Sequence, residues 1–132
     1  MENIKLFQTL STLSKEELTS FGEFIKSSYF NKSLVLTRLF STLRKYHPSF
    51  EKIKREKIFA VLFPGENFKE KKLRDLFSRL LGLMEEFFAL EDFKNYPLEK
   101  KGHVLNQYFI RNLDKHCESL TREMQTLLDK VK

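Results

Sequence analysis

Large apolar side chains recur at steps of three and four residues along most of this chain, which is the spacing of amphipathic helices. The pattern predicts an all-α fold of about six helices in an irregular bundle. The strongest segment runs from Asn67 to Leu90, where Asn67 and Glu70 resemble a capping box. Its apolar stripe consists of Leu73, Leu76, Phe77, Leu80, Leu81, Met84, Phe87 and Phe88. Because so wide a stripe must be covered, we expect this helix, continuing toward Asn95, to be packed by the helices before and after it.

The other helices are predicted from their start and stop signals. Ser14 and Glu17 form a capping box, flanked by Leu13 and Leu18 at the positions of a hydrophobic staple, and this helix is expected to end near Ser27. An aromatic-anchored loop follows at residues 28–31. Of the remaining predicted helices, the first covers residues 4–12, and the next is capped by Ser33 or Asn31 and ended by His47-Pro48. A short helix at 58–63 is ended by Pro64-Gly65. One long helix runs from Leu98 to the end of the chain.

The last predicted helix carries a second apolar stripe, here called the C-terminal stripe: Leu113, Cys117, Leu120, Met124, Leu127 and Val131. Its alternating steps of four and three resemble a coiled-coil seam. Three interpretations fit this stripe. It packs against the same domain, it pairs with a second copy of the chain in a homo-oligomer, or it binds a helix from another part of a longer protein. We expect a single helical domain over residues 1–132 that is the N-terminal fragment of a larger protein. The predicted partner-binding residues are Leu113, Leu120, Met124, Leu127 and Val131.

The composition is typical of a folded helical protein whose core depends on phenylalanine. There are 14 Phe, no Trp, and only four Gly and three Pro. Phenylalanine adds buried area without a polar group, so it contributes to packing more than to chemistry. One cysteine precludes an internal disulfide, and no apolar run has the length of a signal peptide or a membrane span. These features predict a cytoplasmic protein with no membrane partner.

The net charge of +6 comes from the middle third of the sequence. Residues 44–79 hold 11 Lys and Arg against 5 Asp and Glu, while the rest of the chain sums to zero. A short helix, a four-residue turn at Pro64–Asn67 and a longer helix loosely match a helix-turn-helix. Nucleic-acid binding is therefore the alternative function, with phosphate contacts assigned to Lys69, Lys71, Lys72, Arg74 and Arg79. A solvated charged face is favoured over it, because Glu70 with Arg74 and Asp75 with Arg79 have the spacing of i, i+4 ion pairs.

No catalytic, cofactor-binding or metal site is predicted, and we expect the protein not to be an enzyme. His47, His103 and His116 lack the spacing of metal ligands, and no phosphate-binding or nucleophile-elbow motif occurs. Cys117 lies on the C-terminal stripe, where a buried thiol is the ordinary interpretation. The paired carboxylates at 85–86 and 91–92 are expected to form the solvated edge of a helix.

The residues from Leu10 to Leu90 resemble the N-terminal part of a group of long, largely helical bacterial proteins found mainly in Bacteroidetes-like lineages. The resemblance rests on Glu17-Leu18, Phe21, Phe24-Ile25, Ser28-Tyr29-Phe30-Asn31, Leu39-Phe40, Leu43, Tyr46-His47-Pro48, Phe50, Ile58-Phe59, Leu62-Phe63-Pro64-Gly65, Lys72-Leu73-Arg74-Asp75-Leu76, Ser78 and Leu80. These are mostly core and turn residues, so the resemblance implies a helical fold and no activity, substrate or cofactor. The sequence therefore predicts a non-enzymatic interaction or structural module, which binds a helical segment of the same full-length chain or of another protein.

Overall fold

The protein is all-helical, as predicted, but it has seven helices where the sequence suggested about six. The computed structural model describes residues 4–131, apart from the side chains of Ile4 and Val131, and contains no β-strand within that range. The helices are α1 (Ile4–Ser11), α2 (Lys15–Lys26), α3 (Leu34–Arg44), α4 (Arg55–Leu62), α5 (Glu70–Phe93), α6 (Pro97–Ile110) and α7 (Asp114–Val131).

The additional helix arises because the predicted long C-terminal helix is two helices, α6 and α7. Asn112 takes a left-handed backbone conformation with φ of 60°. The Leu113 N–H donates to the Tyr108 carbonyl at 2.9 Å, and the Asn112 N–H donates to the Phe109 carbonyl at 3.1 Å. These two bonds form a Schellman motif, the usual helix stop, with asparagine where glycine is most common. The prediction of one helix was wrong because the apolar spacing continues through the break.

The chain divides into two compact units, unit 1 (Met1–Phe87) and unit 2 (Phe88–Lys132), with the boundary inside α5. The two units differ greatly in the size of their cores. Of the 20 buried apolar residues among those the structure describes, 19 belong to unit 1 and only Leu120 belongs to unit 2. Unit 1 therefore has a hydrophobic core of its own, and unit 2 buries little.

The core of unit 1 is built largely from phenylalanine rings, as the composition suggested. The Phe21 ring lies 5.0 Å from that of Phe40 in α3 and 5.3 Å from that of Phe87 in α5. Phe7 connects α1 to α5 through an edge contact with Phe77, with ring centroids 5.5 Å apart. Edge-to-face and tilted pairs of this kind add to the stabilisation from burial alone. The first half of α5 is buried along its apolar stripe, as predicted.

The start of α2 confirms its predicted capping box. The Ser14 hydroxyl accepts the Glu17 N–H at 3.1 Å, and the Glu17 carboxylate accepts the Ser14 N–H at 2.9 Å. The flanking leucines, Leu13 and Leu18, are both buried, which fits the hydrophobic staple. These contacts fix the position where α1 gives way to α2.

The start of α5 differs from the prediction. The helix begins at Glu70 and not after Asn67, so Lys69 occupies the cap position and Asn67 lies two residues too early to be the cap. Glu70 instead forms an ion pair with Arg55 at the beginning of α4. The Glu70 carboxylate is thus paired with a guanidinium on another helix and not with a local capping residue, and spacing along one helix cannot reveal such a partner.

Candidate interaction surfaces

Helices α6 and α7 pack against each other as a hairpin within unit 2. Lys101 of α6 forms an ion pair with Glu123 of α7 at 3.0 Å. The rings of Tyr108 and His116 lie 5.3 Å apart. Leu120 is the one described side chain of unit 2 that is buried, and it lies with Lys101 and Tyr108 around the groove between the two helices. One flank of α7 is therefore used to build the hairpin.

The hairpin divides the predicted partner-binding residues into three groups. Leu120 is buried, Met124 and Leu127 are half-buried, and Leu113 is exposed. The side chain of Val131 lies outside the described part of the structure. At about 100° per residue, Met124 lies about 100° around the helix from Glu123, which meets α6, whereas Leu120 and Leu127 lie within about 60° of it.

The largest exposed apolar side chains of the hairpin were not among the predicted residues. Phe109 is 73% exposed and Ile110 is 59% exposed, both in the last turn of α6. With Leu113, which is also exposed, they form what we call the tip cluster, at the closed end of the hairpin. The sequence signal that could have revealed them is Asn112: once this residue is recognised as a helix stop, the apolar residues beside it lie at a turn.

A second side of α7 continues the apolar surface from the tip cluster. Cys117 and Met124 are half-buried and Leu128 is exposed. All three lie within about 40° of one another when α7 is viewed along its axis, at roughly 80–140° around the helix from Glu123 and His116. An apolar strip therefore runs along α7 from Leu113 through Met124 to Leu128, beside Leu120 in the hairpin groove.

The predicted basic segment does not form one continuous positive face. The loop between α4 and α5 spans residues 63–69, which is longer than the predicted four-residue turn. Lys69, Lys71 and Arg79 are exposed. Arg74 is half-buried and has interactions of its own. Lys72 lies 3.3 Å from the Glu66 carboxylate and stands over the Phe63 ring, 3.8 Å from its centroid.

The exposed face of α5 alternates in sign along its length. Its exposed charged residues within unit 1 are Lys71, Asp75, Arg79, Glu85 and Glu86. Two bases against three acids give this face a net charge of −1. Duplex DNA presents closely spaced negative charges, so a face of this kind provides little attraction for it.

Each of the three histidines makes a different local contact. The Nε2 atom of His47 is 2.8 Å from the Leu13 carbonyl oxygen; since a carbonyl can only accept, Nε2 donates a proton there. His103 lies near Phe93 in unit 2, with ring centroids 5.7 Å apart, and His116 lies against Tyr108. Within residues 4–131 no group of three or more His, Cys, Asp or Glu side chains is arranged to hold a metal ion.

The paired carboxylates lie at the solvated surface, as expected. Glu85 is 3.6 Å from Lys5, and Glu91 is 2.9 Å from Lys94. Glu86 and Asp92 are also exposed. These side chains contribute charge to the surface of α5 and do not converge on an enclosed cavity.

Comparison with protein-family models, curated proteins and solved structures gives no match. None of the helices in the described part of the chain has the length and apolar character needed to cross a membrane.

Proposed function

We propose that this protein is a non-enzymatic helical interaction module, in which unit 1 is the folded support and the hairpin of unit 2 binds a partner helix. The partner helix belongs to the same full-length chain or to another protein. The tip cluster and the exposed flank of α7 form the binding surface, in which Phe109, Ile110, Leu113, Met124 and Leu128 are the apolar anchors.

The observation that supports this proposal most strongly is the difference between the two units. Unit 1 buries 19 large apolar side chains, whereas unit 2 buries one among its described residues and leaves Phe109 and Ile110 mainly in solvent. Scattered exposed apolar residues are ordinary, but a contiguous apolar surface on a soluble protein commonly marks an interface. The three members of the tip cluster lie within five consecutive residues, at the turn between α6 and α7.

The proposed mechanism is packing of an amphipathic helix into an apolar surface. Side chains on a helix at i, i+3, i+4 and i+7 form a row that matches the row from Leu113 to Leu128. Removing about 100 Å² of apolar surface from water contributes roughly 2.5 kcal/mol, so covering the exposed rings and aliphatic chains of the hairpin gives a substantial driving force. Phe109 is the expected centre, since large aromatic side chains dominate many interfaces.

Fluorescence of a hydrophobic dye such as ANS, measured together with light scattering, tests the proposal on the isolated chain. The wild-type protein should bind the dye and should self-associate as its concentration rises, because the uncovered surface pairs with another copy. Replacing Phe109 and Ile110 by serine should remove most of both signals. The matched control is Val61→Ser in α4, since Val61 is 57% exposed and belongs to unit 1.

The result that would overturn the proposal is a wild-type chain that stays monomeric and shows no dye fluorescence, or a double variant that behaves like Val61→Ser. Circular dichroism should show unchanged helix content in all variants, because the substituted side chains are exposed. The alternative function, nucleic-acid binding by residues 44–79, has less support, because the exposed face of α5 carries both signs of charge.

A further inference from the structure

A depression of about 540 Å³ lies in unit 1 between the loop after α2 and the middle of α5. Phe30, Leu36 and Leu83 provide its apolar lining. Lys32 from the loop and Arg79 from α5 provide its charged groups, and none of the lining residues is acidic. We call this feature the basic depression. It shares no residue with the hairpin surface.

The loop that forms one wall is held by a dense set of contacts. The Asn31 side-chain amide donates to the Ile25 carbonyl at 3.0 Å and to the Ser33 carbonyl at 3.2 Å. Its oxygen accepts the Ser33 N–H at 3.0 Å. The Phe30 ring stacks on Phe24 with centroids 4.5 Å apart. A wall fixed in this way does not have to be ordered when a partner binds, which favours affinity.

The floor of the basic depression includes Gly82, and the chain itself gives no reason for a glycine there. Gly82 lies in the interior of α5, where glycine is the least favourable residue after proline. A Cβ atom added at Gly82 would have no atom within 4 Å, whereas one added at Gly22 would meet the Phe40 ring at 3.4 Å. Packing within unit 1 therefore does not account for Gly82. An exposed glycine at the bottom of a concave surface allows a bound chain to approach the helix backbone closely.

We propose that the basic depression binds an acidic peptide segment that carries one apolar anchor side chain. The anchor lies over Gly82 against Leu36 and Leu83, and flanking carboxylates pair with Lys32 and Arg79. Lys32 and Arg79 are both exposed and no acidic residue lines the depression, so the carboxylates of a bound segment meet two cations there. Opposite charges close to a binding site favour association, and this effect falls off beyond about a Debye length.

The aromatic residues favour a peptide over a single-stranded nucleic acid. Bases bind to exposed aromatic faces, but the Phe30 ring is already stacked on Phe24, and Tyr29 packs against it edge-on at 5.1 Å. The rest of the apolar lining is aliphatic. Two cations also provide few phosphate contacts. The chemistry of the depression thus matches an apolar side chain between carboxylates.

Selection of a random phage-displayed peptide library on the full chain provides the probe. The enriched peptides should combine Asp or Glu with Leu, Ile or Phe, and their affinity is then measured by fluorescence polarisation. Gly82→Leu should lower this affinity about tenfold or more, equivalent to about 1.4 kcal/mol, because the new side chain fills the floor. Arg79→Glu should lower the peptide affinity by a similar factor. The Lys32→Glu, Arg79→Glu double variant should lose binding of the acidic peptide but should bind a peptide in which the acidic residues are replaced by lysine.

Folding and binding effects can be separated, because Gly82→Leu should make α5 a better helix. Its unfolding temperature should equal or exceed that of the wild type while binding is lost. Gly102→Leu in α6 is the matched control: a Cβ there also meets nothing within 4 Å, so it should leave peptide affinity unchanged.

Three results would overturn the proposal. The first is a selection that enriches no peptides, or enriches basic or uncharged ones. The second is binding that survives Gly82→Leu. The third is binding of single-stranded DNA that Arg79→Glu abolishes while acidic peptides bind weakly or not at all, which would assign the surface to nucleic acid. None of these outcomes depends on the dye and light-scattering tests of the hairpin.

Discussion

Asn112 determines whether α6 and α7 form a hairpin or one straight helix, and its substitution has a calculable effect. With φ of 60°, this position costs a residue that has a Cβ roughly 1–2 kcal/mol, and asparagine tolerates it better than most. Asn112→Ala should therefore destabilise the hairpin by about 1 kcal/mol, and the β-branched Asn112→Val by about 2 kcal/mol. Asn112→Gly should be close to neutral, because glycine accepts the conformation but loses more freedom on folding.

Hydrogen exchange measured by mass spectrometry reports this loss of stability separately for each helix. Opening of the hairpin exposes the amides of α6 and α7, so a loss of about 1 kcal/mol should speed their exchange about fivefold, and a loss of about 2 kcal/mol about thirtyfold. Amides in α2 and α3, which belong to unit 1, should be unaffected. Asn106→Ala is the matched control, since Asn106 is exposed within α6 and alanine is favourable in a helix.

The reasoning would be refuted if Asn112→Val exchanged at the wild-type rate, or if Asn112→Val and Asn106→Ala gave the same result. Either outcome would mean that the turn conformation contributes little to the pairing of α6 with α7. Size-exclusion chromatography adds a second measurement. A variant that favours a straight α6–α7 helix should form dimers by exchanging α7 between copies.

Three further predictions follow from particular contacts. Ser14→Ala removes an N-cap that accepts the Glu17 N–H and should lower the free energy of unfolding by about 1 kcal/mol in denaturant titrations; no change would mean that the cap is not stabilising. Phe21→Ala, at a fully buried site, should cost about 3–5 kcal/mol, whereas Phe109→Ala should cost under about 0.5 kcal/mol, and similar losses at both sites would contradict the assigned burial. The chain should pass through a DNA column without retention even at about 50 mM salt, because the face of α5 has mixed charge; retention that disappears by about 200 mM would support the nucleic-acid alternative instead.

Much of the fold could be predicted from the sequence because its signals are local. The Ser14 capping box and the stripe of α5 depend on residues within a few turns of one another, and both are present as expected. The start of α5 could not be predicted in the same way, since Glu70 pairs with Arg55, 15 residues away. The helix break at Asn112 was missed for a different reason: Leu105, Phe109, Leu113 and Cys117 continue the apolar period across it, and spacing alone does not reveal one backbone angle.

The candidate surfaces were predicted less completely than the fold. The sequence identified the C-terminal stripe, but not that Leu120 would lie in the hairpin groove while Phe109 and Ile110 remained exposed. Periodicity shows which residues share one face of a helix, but it does not show which neighbouring helix covers that face. The basic depression combines residues 30–36 with residues 79–83, and only the packing of α5 against the α2–α3 region brings them together.

The boundary between the two units has a practical consequence for anyone who wishes to study them separately. It falls between Phe87 and Phe88, inside the continuous helix α5, so no flexible linker exists there for a protease to cut. A polypeptide ending at Phe87 would leave the last four carbonyl groups of its shortened helix without their partners. A fragment ending after Phe93, where α5 itself ends, would keep that helix whole. The chain should therefore be divided at the end of a helix and not at the boundary between the two units.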